Sequence, residues 1–351
     1  MKVLVSFIKV FYQSIYYKMS NIVNITKESG IPLLGLGFIG IICRNNNNMI
    51  QIRTTTVCNM NCTFCSTDAG PFSKFHKTNF VVDLDYLLEY LQELANYFNT
   101  DLNVHLDSVG EPLAYPQLVE LIKGIRKIKN YKDISIVTNG TLLNKKKIQD
   151  LDKAGLTRLN LSFHSINVLK SKELFGSKHY NIDAVIENIK ELQKTNIDFY
   201  LAPVFIPSIN DKDIEEIIEF GKEQNCKVLL QKFEHYKHGR KVKAKEQSYS
   251  DFYKTLKNLE KKHKTKLRYD YSKLETKKVK PLPIKFKKND KVSVEIKSPG
   301  WFSNQSIGVA GNRAITILNH KADVKGNLKV KIIEAKSNIY LAEPVKRRIR
   351  F

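Results

Sequence analysis

Between Met49 and Phe233 two periodicities alternate: short β-rich apolar runs, and longer stretches with apolar residues at i, i+3, i+4 and i+7. Few folds accept such a chain, because each pair of adjacent parallel strands needs a crossover and the helical stretches supply it. The strand-like runs are IQIRTTTV, NVHLDSV, DISIVTNG, RLNLSFHS, DFYLAPVFIP and KVLLQKF. The helical runs between them are LDYLLEYLQELANYF, capped by Asp83, then PQLVELIKGIRKI, KKKIQDLDKAG, IDAVIENIKELQKT and DIEEIIEFGKEQN. Six strands with intervening helices predict an α/β core built as a partial (β/α)6 barrel, a fold that places its sites at the C-terminal ends of the strands. Asp83 and Asp85 complement the dipole of the first helix and receive no catalytic role.

After residue 235 the pattern changes. Residues 236–286 are basic, with one helix (YSDFYKTLKNLEKKHK) and a Lys/Pro linker. Residues 287–345 hold five short strands, VSVEIKSP, SIGVAG, AITILN, NLKVKIIEA and NIYLAEPV, which predict a small β-barrel. KRRIRF, 346–351, forms a basic tail. Residues 1–48 are an N-terminal extension. Its first eighteen residues are apolar, but Lys9 interrupts them and no small-residue cleavage site follows, so neither export nor a membrane span is supported. Met19 opens a polar stretch and reads as the start of translation, which leaves 1–18 untranslated. GLGFIG at 35–40 has the spacing of a phosphate loop without a βαβ unit around it, and reads as a hydrophobic turn capping the barrel.

Of five cysteines, three fall in TTTVCNMNCTFCS as C-x3-C-x2-C: Cys58, Cys62 and Cys65. Cys43 and Cys226 stand alone, Cys226 as buried filler in a helix-to-strand turn. This is no disulfide framework and fits a reducing cytoplasm. Three thiolates on one loop can ligate three irons of a [4Fe-4S] cube and leave the fourth open. A zinc site with a further N/S ligand, His76 being nearest, and three unligated core cysteines are the alternatives.

In its context the motif resembles the radical SAM superfamily over residues 49–235, with an archaeal-type core similar to that of molybdopterin-precursor cyclases. The family's Gly-Gly-Glu-Pro corresponds to Val109-Gly110-Glu111-Pro112. The resemblance implies a TIM-type barrel with a catalytic [4Fe-4S] cluster on Cys58, Cys62 and Cys65. It implies that the open iron chelates S-adenosylmethionine (SAM), whose reductive cleavage gives methionine and a 5′-deoxyadenosyl radical. An electron donor such as ferredoxin or flavodoxin follows. The SAM contacts it implies are Phe64 on the adenine, Gly110 where backbone approaches the amino acid, and Glu111 and Pro112 near the ammonium. Thr138 and Asn139 close the third strand, Asn160 and Ser162 reach the ribose or carboxylate, and Ile206 and Asn210 contact adenine. His164 faces the same side as Ser162, as a buried structural histidine or a substrate contact. Gln231 and Lys232 sit at the mouth of the sixth strand, as substrate contacts or solvated rim.

Residues 287–345 resemble a TRAM domain, the small OB-like barrel of tRNA-modifying enzymes. That resemblance implies RNA contacts from Trp301, Phe302, Arg313, Lys329, Lys331, Lys336 and Tyr340, although Trp301 and Tyr340 can equally fill a tiny core. A net charge of +23, concentrated in linker, barrel and tail, points to a polyanion. A Lys-rich proteome is the other source of such an excess. The reading is therefore a radical SAM enzyme that modifies RNA, tRNA foremost, in the cytoplasm and off the membrane. The alternatives are a radical SAM enzyme acting on a small molecule or protein, and a non-enzymatic RNA-binding protein with a structural cluster. The extra cysteines of the cyclases, the methylthiotransferases and the wyosine-base synthases are missing, which predicts hydrogen abstraction without an auxiliary cluster.

Overall fold

The computed structural model describes residues 21–44, 47–269, 276–321 and 326–345; the apolar first eighteen residues, the start at Met19 and the basic tail lie outside them. In chain order come β1 (Ile22–Ile25), β2 (Gly40–Cys43), β3 (Met49–Arg53), β4 (Asn79–Val82), α1 (Leu84–Phe98), β5 (Leu102–Leu106), α2 (Leu118–Lys127), β6 (Tyr131–Thr138), α3 (Lys145–Ala154) and β7 (Arg158–Leu161). Then follow α4 (Val168–Leu174), α5 (Ile182–Leu192), β8 (Asp198–Leu201), β9 (Val204–Phe205), α6 (Asp211–Glu223), β10 (Lys227–Val228), β11 (Gln231–Lys232) and α7 (Tyr249–His263).

Seven strands form one sheet in the order β10-β8-β7-β6-β5-β3-β2. The six from β3 to β10 run parallel and are the six expected; β2 joins antiparallel at the β3 edge. A separate pair, β9 with β11, carries the fifth and sixth strands onward. Four elements, β1, β2, β4 and α4, are additional. The first half of IQIRTTTV is β3, but Thr54 to Val57 leave the sheet, with Thr56 N donating to the Phe80 carbonyl (3.0 Å) and the Thr54 carbonyl accepting from Val82 N (2.9 Å). The four residues of β4 thereby gain a partner, and β1 pairs along their other side. Helix α4 has seven residues, too few to show a period.

The parallel strands alternate apolar and polar residues, although strands covered on both faces usually read as continuous apolar runs. The crossover helices cover one face only. There Ile50, Ile52, Val104, Leu106, Ile134, Ile136, Leu159 and Leu161 pack in one cluster with Leu87 and Leu91 of α1, Leu121 and Ile122 of α2, and Val185 and Ile189 of α5. Each such burial is worth about 1.5–3 kcal/mol. The other face is concave and polar, with Gln51, Arg53, His105, Arg158 and Asn160 turned into it. Asp83 caps α1 as expected, its Oδ1 accepting from Tyr86 N at 2.9 Å.

The last five strands, β12 (Lys291–Pro299), β13 (Gln305–Ala310), β14 (Arg313–Leu318), β15 (Gly326–Lys336) and β16 (Ile339–Pro344), close a barrel in the order β12-β13-β14-β16-β15. Val294, Ile296, Ile315, Ile317, Val330, Ile332, Tyr340 and Ala342 fill it. GLGFIG is what docks it: Ala314 N donates to the Leu34 carbonyl and Tyr340 N to the Gly35 carbonyl, both at 2.9 Å. Gly35 has φ +124°, and a Cβ there would stand 2.0 Å from the Ala314 carbonyl oxygen, so only glycine lets the two backbones meet. Beside it Trp301 lies between Phe38 (centroids 5.3 Å apart) and His76 (3.9 Å).

Candidate active site

Cys58, Cys62 and Cys65 sit on the loop after β3, half-buried, and all three line one cavity of about 660 Å3 at the C-terminal ends of the strands. Burial pushes the Cys58 thiol up to about 12 and the Cys62 thiol well above its ordinary value. The bare thiols are thus neutral, and metal binding must displace their protons. Three sulfur donors on the wall of a cavity this size fit an iron–sulfur cluster with one iron left open. The zinc alternative loses its nearest fourth ligand, since the His76 ring packs against Trp301 with centroids 3.9 Å apart and does not line the cysteine cavity.

One guanidinium, at a position that no motif marks, clamps the cysteine loop. Arg240 Nε donates to Asp68 Oδ1 (2.8 Å), and its terminal nitrogens donate to the Cys62 carbonyl (3.0 Å), the Ala69 carbonyl (2.8 Å) and Asn61 Oδ1 (3.2 Å). Its backbone N donates to the Cys65 carbonyl (2.8 Å). Asp68, almost fully buried, also accepts from Ser73 Oγ and from Lys74 and Phe75 N, which folds the loop back toward His76. In the sequence Arg240 is one cation in the basic run YKHGRKVK. The only local signal is the preceding Gly239, where a Cβ would come within 2.9 Å of the Cys65 and Ser66 carbonyl oxygens.

Val109-Gly110-Glu111-Pro112 lines the same cavity. The glycine is required for a different reason from the one expected. Its Cβ direction points at the main chain entering the cysteine loop, 2.2 Å from the Val57 carbonyl oxygen, rather than at a ligand. Glu111 is buried, which lifts its carboxyl to about 6 against three stabilising hydrogen bonds. Oε1 accepts from Thr138 Oγ1 (2.6 Å) and Leu113 N (3.0 Å), and Oε2 from Asn139 N (2.9 Å). Asn139 Nδ2 in turn donates to Asn59 Oδ1 (2.9 Å) on the cysteine loop. Glu111 and Asn139 therefore lock the ends of β5 and β6 to the cluster loop.

Phe64, Thr138, Ser162 and His164 complete the wall. His164 Nδ1 accepts from Val204 N (3.2 Å), its ring meets the Phe64 edge at 4.8 Å, and burial depresses it to about 3, so it is neutral with its proton on Nε2. Ile206 and Asn210 are corrections. Ile206 is fully buried behind Phe64, and Asn210 spends its side chain on the local turn, accepting from Ile206 N (2.8 Å) and donating to the Val204 carbonyl (2.9 Å). Neither lines the cavity.

A second cavity of about 870 Å3 adjoins the first, with Gln51, Asp107, Gln231 and Lys232 in both walls. It occupies the concave face and is roofed by Phe252 and Leu256 of α7 and by Tyr269. Asn160 lies here, with its Oδ1 buried and unpartnered; so is Nε of Arg158, which pairs with Asp133 at 3.2 Å through a terminal nitrogen. The Ser135 hydroxyl donates to the Val104 carbonyl (3.1 Å), so its oxygen accepts from His105 Nδ1 (2.8 Å), leaving Nε2 as the basic nitrogen. Gln51 Nε2 donates to Asp107 Oδ2 at 2.5 Å. Gln51, His105, Asp107 and Arg158 were missed in the sequence. Their signal was the polar residue at every second position of strands that should be apolar on both faces.

In the small barrel, Trp301, Arg313 and Tyr340 are buried, which corrects their placement on an RNA-binding face. Trp301 belongs to the interface with the large domain. Tyr340 is in the barrel core, its hydroxyl donating to Asn338 Oδ1 (2.8 Å). Phe302 is half-buried against His76 and His238. Lys329 and Lys331 are exposed on the outer face of β15, and Lys336 is exposed near its end.

The sequence signature of the Radical SAM superfamily matches residues 52–221. Over 343 residues the chain is 33% identical to an uncharacterised protein of Methanocaldococcus jannaschii, a match that covers 90% of this chain and 79% of that one. It is 28% identical over 191 residues to the GTP 3′,8-cyclase of Aquifex aeolicus, covering 53% of this chain and 56% of the cyclase. The chain thus spans about half the length of the cyclases it matches. Among solved structures, Streptococcus suis SuiB aligns with a TM-score of 0.50 at 18% identity, over 70% of this chain and 51% of that one, a likeness of fold. No helix among the described residues is long and apolar enough to cross a membrane. With three cysteines on one cavity wall, a matching signature and a relative whose match spans nine-tenths of this chain, the chain belongs to the radical SAM superfamily, enzymes that use a [4Fe-4S] cluster and S-adenosylmethionine.

Proposed function

We propose that this radical SAM enzyme modifies RNA, tRNA foremost, in the cytoplasm, with a ferredoxin- or flavodoxin-type donor. The observation that carries the reading is the continuity of the cluster cavity with a second cavity, of about 870 Å3, large enough for a second molecule. When bound, the cluster and SAM supply a 5′-deoxyadenosyl radical. Cys58, Cys62 and Cys65 hold the cluster, and Phe64 and Ser162 face SAM. Asn160 and Arg158 line the second cavity, where the substrate would meet them. His105 can take a proton at Nε2, and the α7 roof limits water at the reacting atoms. The radical SAM core is assigned to 49–235, the basic helix and linker to 236–286, and a TRAM-like barrel to 287–345. Residues 236–351, the last third of the chain, carry +21 of the net +23, as a phosphate-binding appendage requires.

A second reading, a small polar substrate, is favoured by the depth of Arg158 and Asn160 beneath α7 and by the similarity to cyclases named for GTP. The non-enzymatic alternative gives way to membership of an enzyme superfamily. Mass spectrometry of tRNA nucleosides with and without the gene is expected to show one nucleoside missing; an unchanged profile removes the RNA reading. Anaerobically reconstituted protein is expected to release 5′-deoxyadenosine from SAM, and Cys62→Ala to lower this to background.

A further inference from the structure

The basic segment 236–253 is no passive linker: it runs along the rim shared by the two cavities. Tyr236 lines the cluster cavity, and Tyr249 and Tyr253 line the second one. These rings are 48%, 60% and 51% exposed, three of the five exposed large aromatic side chains among the described residues. Exposed tyrosines normally drift, but two of these are fixed. Glu234 accepts from the Tyr236 hydroxyl (2.6 Å) and from the Tyr249 hydroxyl (2.5 Å). Lys232 Nζ backs the Tyr249 ring at 4.9 Å from its centroid. Between Tyr236 and Tyr249 lie Lys237, Lys241, Lys243 and Lys245, all exposed; among the described residues none of the four forms an ion pair, and Lys241 Nζ donates to the Tyr236 carbonyl. The neighbouring acids are committed elsewhere: Glu246 to Lys232 (2.8 Å), and Asp251 to the Ser248 hydroxyl (2.8 Å) and Lys254 (3.4 Å).

Exposed aromatic faces beside a run of lysines that form no ion pair among the described residues are the elements of a surface that stacks successive bases while neutralising their phosphates. We propose that this rim binds a single-stranded stretch of RNA, Tyr249 and Tyr253 stacking bases beside the one that enters the second cavity. The small barrel then supplies charge at a distance, and the rim supplies register. The proposal rests on the RNA reading above.

The test is fluorescence anisotropy of a labelled twelve-nucleotide single-stranded RNA with the full-length, cluster-loaded protein across a salt series. Tyr249→Ala with Tyr253→Ala is expected to weaken binding roughly tenfold or more with the salt slope unchanged, while Tyr→Phe at both positions retains affinity. Lys241, Lys243 and Lys245 changed together to Ala are expected to lower the slope of log K against log salt by about 2, at roughly 0.7 per phosphate contact. Cluster absorbance and the thermal midpoint check that each variant is folded. Rim variants that bind as the unaltered protein does, or displacement of the RNA by polyglutamate of equal charge, overturn the rim assignment alone. Unaltered protein that binds no RNA overturns the reading on which it rests.

Discussion

The small barrel and the rim segment 236–253 are both basic and both carry aromatic rings, yet the rings face opposite ways. In the barrel Tyr340 is fully buried and Trp301 is wedged between Phe38 and His76, while Lys329 and Lys331 stand alone on the outer face. On the rim Tyr249 and Tyr253 face solvent among the lysines. A five-stranded barrel of about sixty residues has so little interior that every large ring is drawn inward or into its docking surface. On α7 it is Phe252 and Leu256 that turn to the core, so Tyr249 and Tyr253 are left on the helix's outer side, and polar bonds such as those of Arg240 and Glu234 hold the segment. Aromatic residues beside lysines therefore mean different things in the two regions, and the presence of a core decides which.

The sharpest way to break this comparison is Arg240→Ala. It leaves Asp68 buried without its partner, which is expected to cost about 3–5 kcal/mol, read as a lower urea midpoint, together with fewer irons per chain. Arg240→Lys should not restore the iron, since an ammonium cannot span the Cys62 and Ala69 carbonyls and Asp68 together. Stability and iron content equal to those of the unaltered protein would make the segment the loose linker that its composition suggests.

Trp301→Ala tests the barrel side. Loss of the wedge is expected to cost about 3 kcal/mol and to expose the junction between the two domains to limited proteolysis, whereas Lys329→Ala should stay within about 0.5 kcal/mol. Equal effects would place Trp301 outside the interface.

Burial also fixes a pH dependence. His164 is neutral in the fold, depressed to about 3, while in the unfolded chain it titrates near 6.5. Its contribution is present above 6.5 and is lost as pH falls toward 3. Between pH 6.5 and 5.5 stability should drop by about 1 kcal/mol through this residue. His164→Asn, which keeps an acceptor for Val204 N, should flatten that part of the urea-midpoint profile.

The smallest contrast lies between two hydroxyls. Tyr340→Phe removes a buried hydrogen bond and leaves Asn338 unsatisfied, at about 1 kcal/mol by thermal unfolding, whereas Tyr249→Phe on the rim should change stability by less than about 0.5 kcal/mol. Similar values would show that the rim tyrosine is as tightly packed as the core one.

Much of the architecture was legible in advance because it is written in local patterns. Period-two and period-3.6 apolar runs located all six parallel strands and their principal helices, and C-x3-C-x2-C placed three sulfurs on one cavity wall. What escaped were short elements such as β4 and α4, whose four and seven residues carry too little period. Residues whose purpose comes from a distant partner escaped as well. Gly110 was recognised as necessary, but its reason, the Val57 carbonyl, lies across the fold.

The sequence by itself determined the α/β core, the cysteine loop, the five-stranded barrel and the excess of positive charge. Only the tertiary structure decided that Arg240 clamps a loop whose Asp68 is 172 residues away in the chain, that Trp301, Arg313 and Tyr340 are interior, that Ile206 and Asn210 stand behind the cavity, and that the cluster cavity opens into a second one. Periodicity records which face of an element avoids water. It does not record which distant backbone meets that face, and burial, partner and pKa all follow from that meeting.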